Sequence, residues 1–140
     1  MKNAVLAVLV AAAVSAGSAA FASEAGSSPK IIAYYFHGSF RCSTCNAMEQ
    51  YSREAIGNNF KVALDSGGLE FKSVNVEERA NEHFVEDYKL FTKALILSQI
   101  KGGKEVRSKN LDKIWEYARN KKKFMDYVTA EVDAFMKDAA

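Results

Sequence analysis

Cys42 and Cys45 are the only cysteines in the 140-residue sequence, two residues apart in Phe40-Arg41-Cys42-Ser43-Thr44-Cys45. Four devices are built from such a pair: a local staple, half of a zinc site, a clip for a soft metal or trivalent arsenic, and a redox dithiol. As a staple the pair is weak. A disulfide stabilises partly through the loop it closes, and so short a loop is worth roughly 2 kcal/mol against about 3 for fifteen residues. Structural zinc needs four protein ligands. The two histidines are badly placed for it, since His37 lies five residues before Cys42 and His83 falls on a predicted helix elsewhere. A soft-metal clip on Cys42, Cys45 and Met48 stays open as the alternative binding module, although Met48 at helical spacing from Cys45 also reads as core.

The redox reading carries a physical mechanism. A helix beginning near Cys42 would set its sulfur against unpaired backbone N–H groups and the positive end of the helix dipole. Arg41 adds a fixed positive charge next to it. Both favour thiolate: a thiol of pKa about 8.5 is roughly 3% ionised at pH 7, and lowering it to about 7 gives roughly 50%. Cys42 is then the attacking nucleophile, and Cys45, one turn on and facing inward, resolves the mixed disulfide. No bound cofactor is needed, because the Cys42–Cys45 disulfide itself carries the electrons. Phe40 either shields the dithiol and offers an aromatic contact surface or simply packs. His37 is expected to cap a strand end, with orientation of a partner as the other role. Glu49 reads as a solvated helix carboxylate, and otherwise as a proton acceptor for the resolving thiol. His83 reads as a helix-surface residue.

The elements that must position this pair follow from apolar spacing. Residues 31–36 are β-branched and aromatic without polar alternation, as in a strand buried on both faces of a partly parallel sheet. His37-Gly38-Ser39 breaks it. From Ser43 the pattern turns helical, with Cys45, Met48, Ser52, Ala55 and Ile56 near one face. Gly57-Asn58-Asn59 weakens that helix, Phe60, Ala63 and Leu64 resume it, and Ser66-Gly67-Gly68 ends it. Alternation over 69–76 predicts a strand. A polar helix is expected over 77–90, with Ala80, Phe84, Val85 and Tyr88 as its apolar stripe. A second apolar strand runs over 94–100, and Lys101-Gly102-Gly103-Lys104 turns it into a short strand near 105–107. Two helices close the chain, over 110–119 and 122–137, with Trp115 expected as a core anchor.

The N-terminus reads as an export signal. Lys2 supplies a positive start, Ala4 to Val14 an apolar stretch, and Ala20-Phe21-Ala22 a small-x-small site, so 1–22 is expected to be cleaved near Ala22. Ser15, Gly17 and Ser18 interrupt what would otherwise approach a membrane span, which leaves tethering as the minor alternative. Residues 23–30 read as a flexible lead-in and 31–140 as the folded domain. A periplasmic or secreted protein is the expectation. Nineteen basic and seventeen acidic residues are interspersed, so no field points to nucleic acid. The run Lys121-Lys122-Lys123 reads as a solvated patch. Oligomeric state is left open.

Strand, helix, strand, helix, hairpin and closing helices, with a dithiol between the first strand and first helix, resemble the thioredoxin fold: α/β, a mixed four-stranded sheet flanked by helices. The motif departs from thioredoxins proper, whose loop reads Trp-Cys-Gly-Pro-Cys after a strand bearing a buried aspartate. Their cis-proline before the hairpin is also missing, since the only proline is Pro29 and Thr92 stands in its place. A cis bond there without proline would cost about 3–4 kcal/mol, so trans is expected. A narrower likeness covers nearly all of the mature chain. Tyr34-Tyr-Phe-His-Gly-Ser-Phe-Arg-Cys-Ser-Thr-Cys45, Val74-Asn-Val76, His83-Phe-Val-Glu-Asp-Tyr88 and Lys109-Asn-Leu-Asp-Lys-Ile-Trp-Glu116 resemble a thioredoxin-like bacterial family, the ArsF-type subunit of a nitrophenyl compound nitroreductase. That resemblance implies thiol-driven reduction of aromatic nitro groups, beside a CcdA-like membrane thiol relay as partner. Residue by residue it carries over only Cys42 and Cys45.

Overall fold

A computed structural model describes residues 28–140. The expected signal segment and most of the lead-in lie outside the described residues. The elements run β1 (Lys30–His37), α1 (Ser43–Asn59), α2 (Lys61–Asp65), β2 (Leu69–Asn75), α3 (His83–Asp87), β3 (Ala94–Lys101), β4 (Lys104–Asn110), α4 (Ile114–Tyr117) and α5 (Lys121–Ala139). The four strands form one mixed sheet in the order β2-β1-β3-β4. β1 pairs parallel with β2, from Ile31 opposite Leu69 to His37 opposite Asn75. It pairs antiparallel with β3, and β3 with β4. The central position of β1 explains its unbroken apolar sequence, since both edges and both faces are covered.

The period of two along β1 divides the sheet into two cores. Ile31, Ala33 and Tyr35 join Leu95 and Leu97 of β3 on one face, under Met48, Ala55 and Ile56 of α1 and Phe124, Val128, Val132 and Phe135 of α5. Phe36, Ala94 and Ile96 point the other way, where only α3 and its flanks close over them with Phe84, Tyr88 and Leu90. Among the described residues no helix is long and apolar enough to cross a membrane.

Several elements differ from the sequence expectation. The helix expected over 77–90 shrinks to five residues, preceded by turns that run to Glu82, and Ala80 is exposed. Four of its first six residues are charged, so there is no apolar stripe to bury until Phe84. The hairpin strand is longer than expected: β4 runs to Asn110, because β3 supplies pairing partners as far as Ile96. Its turn uses Gly102 and Gly103, both at positive φ (60° and 76°), a backbone that favours glycine. The helix expected over 110–119 is reduced to α4, four residues long. Leu111, Ile114 and Ala118 take its buried side, while Trp115 is 43% exposed and no core anchor.

Candidate functional site

β1 ends at His37 and the chain crosses Gly38–Arg41 to reach α1, whose N-cap is Cys42. The Cys42 side chain accepts from the backbone N–H of Cys45 at 3.1 Å, and the Cys42 carbonyl accepts from Asn46 N–H at 3.0 Å. The sulfur therefore sits at the helix N-terminus, among donors that have no partner within the helix. No acidic residue lies in the first turn of α1 to oppose that field. Cys42 and Cys45 form a disulfide with Cα atoms 5.0 Å apart. Their burial is unequal: Cys42 is half-buried and Cys45 is 1% exposed. The pair thus has an outer, reachable sulfur and an inner one.

Tyr35 explains how Cys45 is held. Its ring lies on the core face of β1, fully buried, and its hydroxyl donates to the Cys45 carbonyl at 2.8 Å. Burial and the nearby Glu49 push the phenol far above its usual pKa, against the pull of Arg41. The residue was legible only as an apolar strand position, although a hydroxyl on a core-facing ring needs a partner there.

The charge of Arg41 is not free. Its guanidinium pairs with Glu49 on the next turn of α1, and Arg53 holds the other Glu49 oxygen at 3.1 Å. Glu49 is therefore no solvated carboxylate; its side chain is 16% exposed. Burial raises its pKa, but hydrogen bonds from Arg41, Ser73 and Arg53 and the Arg41 charge outweigh that and hold it below the usual glutamate range.

The remaining predicted residues lie at the end of β1, in the cysteine loop and in the loop before β3. Phe40 is 75% exposed and does not pack; the Lys93 ammonium stands 6.0 Å from its ring centroid. His37 Nδ1 bonds the Gly38 carbonyl at 2.9 Å, and the His37 carbonyl accepts from Val76 N–H at 2.9 Å, so the residue does cap the strand end. A Cβ at Gly38 would come within 2.5 Å of a Glu77 oxygen, so a side chain there would require Glu77 to swing away. Glu77 in turn accepts from Ser39 N–H at 3.0 Å. Thr92 is exposed in a loop whose peptide bonds are all trans. With Phe91 and Lys93 it forms a ridge between two shallow grooves of about 250 and 230 Å³. His37 and Glu77 line the first, Trp115 and Asp112 the second. The indole N–H of Trp115 donates to the Lys93 carbonyl at 2.9 Å, so Lys93 links α4 to the cysteine loop. Phe91, Lys93 and Trp115 were not foreseen as site residues.

Met48 is fully buried in the main core and His83 pairs with Asp87 on the surface of α3, remote from the cysteines. Among the described residues no three His, Cys, Asp or Glu side chains converge to hold a metal ion.

A parallel β1-α1-β2 unit, an antiparallel β3-β4 hairpin, covering helices and a Cys-x-x-Cys disulfide at the start of α1 together define a thioredoxin-like α/β protein. No family model matches the chain, and no curated protein matches it.

Proposed function

We propose that the chain is an exported thiol–disulfide oxidoreductase in which Cys42 attacks and Cys45 resolves. The observation that carries this reading is the asymmetry of the disulfide: a half-buried Cys42 sulfur capping α1, beside a Cys45 sulfur sealed in the core. In the reducing direction the Cys42 thiolate attacks a substrate disulfide and displaces one substrate thiolate. Cys45 then attacks Cys42 Sγ, releases the second substrate thiol and closes the disulfide, so two electrons leave the protein. A membrane thiol relay of the CcdA type recharges it by reducing the Cys42–Cys45 disulfide again. Phe40, Arg41, His37 and Thr92 support the site, and the exposed aromatics beside it suit a protein substrate.

The sequence resemblance extends this to delivery of electrons for reduction of nitrophenyl compounds. A nitro group becomes an amine by taking up six electrons and six protons, with loss of two waters, so three dithiol turnovers and repeated recharging are required. The test has two arms. Cys42→Ser should abolish reduction of a protein disulfide, and retained turnover would sink the nucleophile assignment. Given a nitrophenyl compound, the reduced protein with a recharging reductant should yield the amine; its absence would remove the nitroarene extension and leave disulfide exchange standing.

A further inference from the structure

The Arg41–Glu49 pair brackets the dithiol along the chain. Arg41 immediately precedes Cys42, and Glu49 stands one turn beyond Cys45, so the ion pair bridges the cysteine loop to the helix that follows it. Both side chains are largely withdrawn from water, at 28% and 16% exposure. Arg41 Nε is buried with no hydrogen-bond partner, which leaves Glu49 as the group that holds the guanidinium in place. Both charges reach Tyr35, whose hydroxyl holds the backbone of the inner cysteine. They act with opposite sign on the Tyr35 hydroxyl, and that hydroxyl donates to the Cys45 carbonyl at 2.8 Å.

We propose that Glu49 is a positioning residue that sets the redox poise of the pair: by clamping Arg41 and answering its charge, it withholds positive potential from the Cys42 thiolate and biases the protein toward disulfide, making it a reductant. The inference rests on the reading of Cys42–Cys45 as an exchanging dithiol and supplies the direction that reading lacks. The reduced state of a Cys-x-x-Cys protein is favoured by whatever stabilises its thiolate. Here the helix N-terminus does so, while the adjacent arginine is neutralised by a carboxylate that is itself mostly withdrawn from water. The Arg41 and Glu49 contributions therefore oppose each other at the dithiol.

The test is equilibration of the full chain with glutathione, in which two glutathione thiols become glutathione disulfide as the protein disulfide takes up two electrons and two protons. Thiol trapping and mass spectrometry read the ratio, and thiolate absorbance against pH reads the Cys42 ionisation. Glu49→Gln should shift the equilibrium about tenfold toward dithiol, roughly 30 mV for a two-electron couple, and lower the Cys42 pKa. Arg41→Gln should shift it the other way, toward disulfide. The double variant should return to within about threefold of the parent, and Glu49→Asp should retain its poise. Loss of packing alone cannot move two single variants in opposite directions and cancel in their combination. Single variants that shift together, or that leave the ratio within about twofold, would overturn the inference, and Arg41→Gln decides it alone if Glu49→Gln fails to fold. A parent that exchanges while its variants stay level removes this inference only. A parent inert toward glutathione removes the dithiol reading and this inference with it.

Discussion

At the scale of single residues, the site depends on which partners the two cysteines have. Cys45→Ser leaves the outer sulfur at the helix start and removes the group that resolves it. Expressed with its N-terminal segment intact, this variant should accumulate mixed disulfides on Cys42, identifiable by mass spectrometry, and a clean monomeric thiol would contradict Cys42 as attacker. Glu49 makes a separate prediction about pH. Its folded pKa lies below the usual glutamate range, so its contribution to stability is complete above that range and is lost as pH falls through the lowered folded value. The difference in unfolding free energy between the parent and Glu49→Gln should therefore be largest near neutral pH and shrink as pH drops below about 4. A difference that grows on acidification would show that the carboxylate is not held ionised. Sequence alone made Cys42 and Cys45 legible, because spacing and a preceding buried strand are local features. It could not reveal that Arg41 is neutralised: the pairing depends on how the loop before α1 folds back beside Glu49. Nor could it seat Tyr35 beneath Cys45, a contact between strand and helix.

At the scale of elements, β1, α1 and β3 were readable and the short α3 and α4 were not. β1 and β3 carry continuous apolar runs and α1 a helical apolar face, and tertiary packing reinforces what the local pattern favours. α3 and α4 are five and four residues long, too short for periodicity to outweigh loop geometry. Trp115 fell on the wrong side of the surface for that reason, since one turn of helix offers room inside for Leu111, Ile114 and Ala118 but not for the indole. α5 illustrates a helix whose start is set by its cap. Asn120 Oδ1 accepts from Lys123 N–H at 3.0 Å, and three lysines follow it against the helix dipole. Asn120→Ala should cost about 1 kcal/mol in urea unfolding, within the range for lost N-caps. Asn120→Asp should match or exceed the parent, because a negative cap offsets the lysines; a comparable loss in both variants would show that the cap is not the cause.

The whole molecule is an unequal sandwich around one sheet, and its two faces should differ in energetic weight. On the α1–α5 face, Phe124 is fully buried, meets Tyr51 edge-on at 5.6 Å between centroids and touches the strands through the main core. On the opposite face Phe84 is half-buried, 5.0 Å from the ring of Phe36 and 5.4 Å from Tyr34, under a helix of five residues. Truncating a buried aromatic removes its transfer free energy and leaves a cavity that the surroundings fill only partly, whereas a half-exposed ring can be replaced by water and by its neighbours. Phe124→Ala should therefore cost about 3–5 kcal/mol, and Phe84→Ala about 1–2 kcal/mol with the same denaturant slope. The cysteine loop gives this comparison a functional side. It springs from the end of β1, which both cores share, yet its helix is anchored on the α1–α5 face through Cys45, Met48 and Tyr35. At temperatures where both variants remain folded, Phe84→Ala should keep the parental equilibrium with glutathione, because the groups that fix the two sulfurs lie across the sheet from it. A shift in that equilibrium as large as the one expected for Glu49→Gln would mean that the α3 face, and not the helix at whose start Cys42 sits, governs the dithiol.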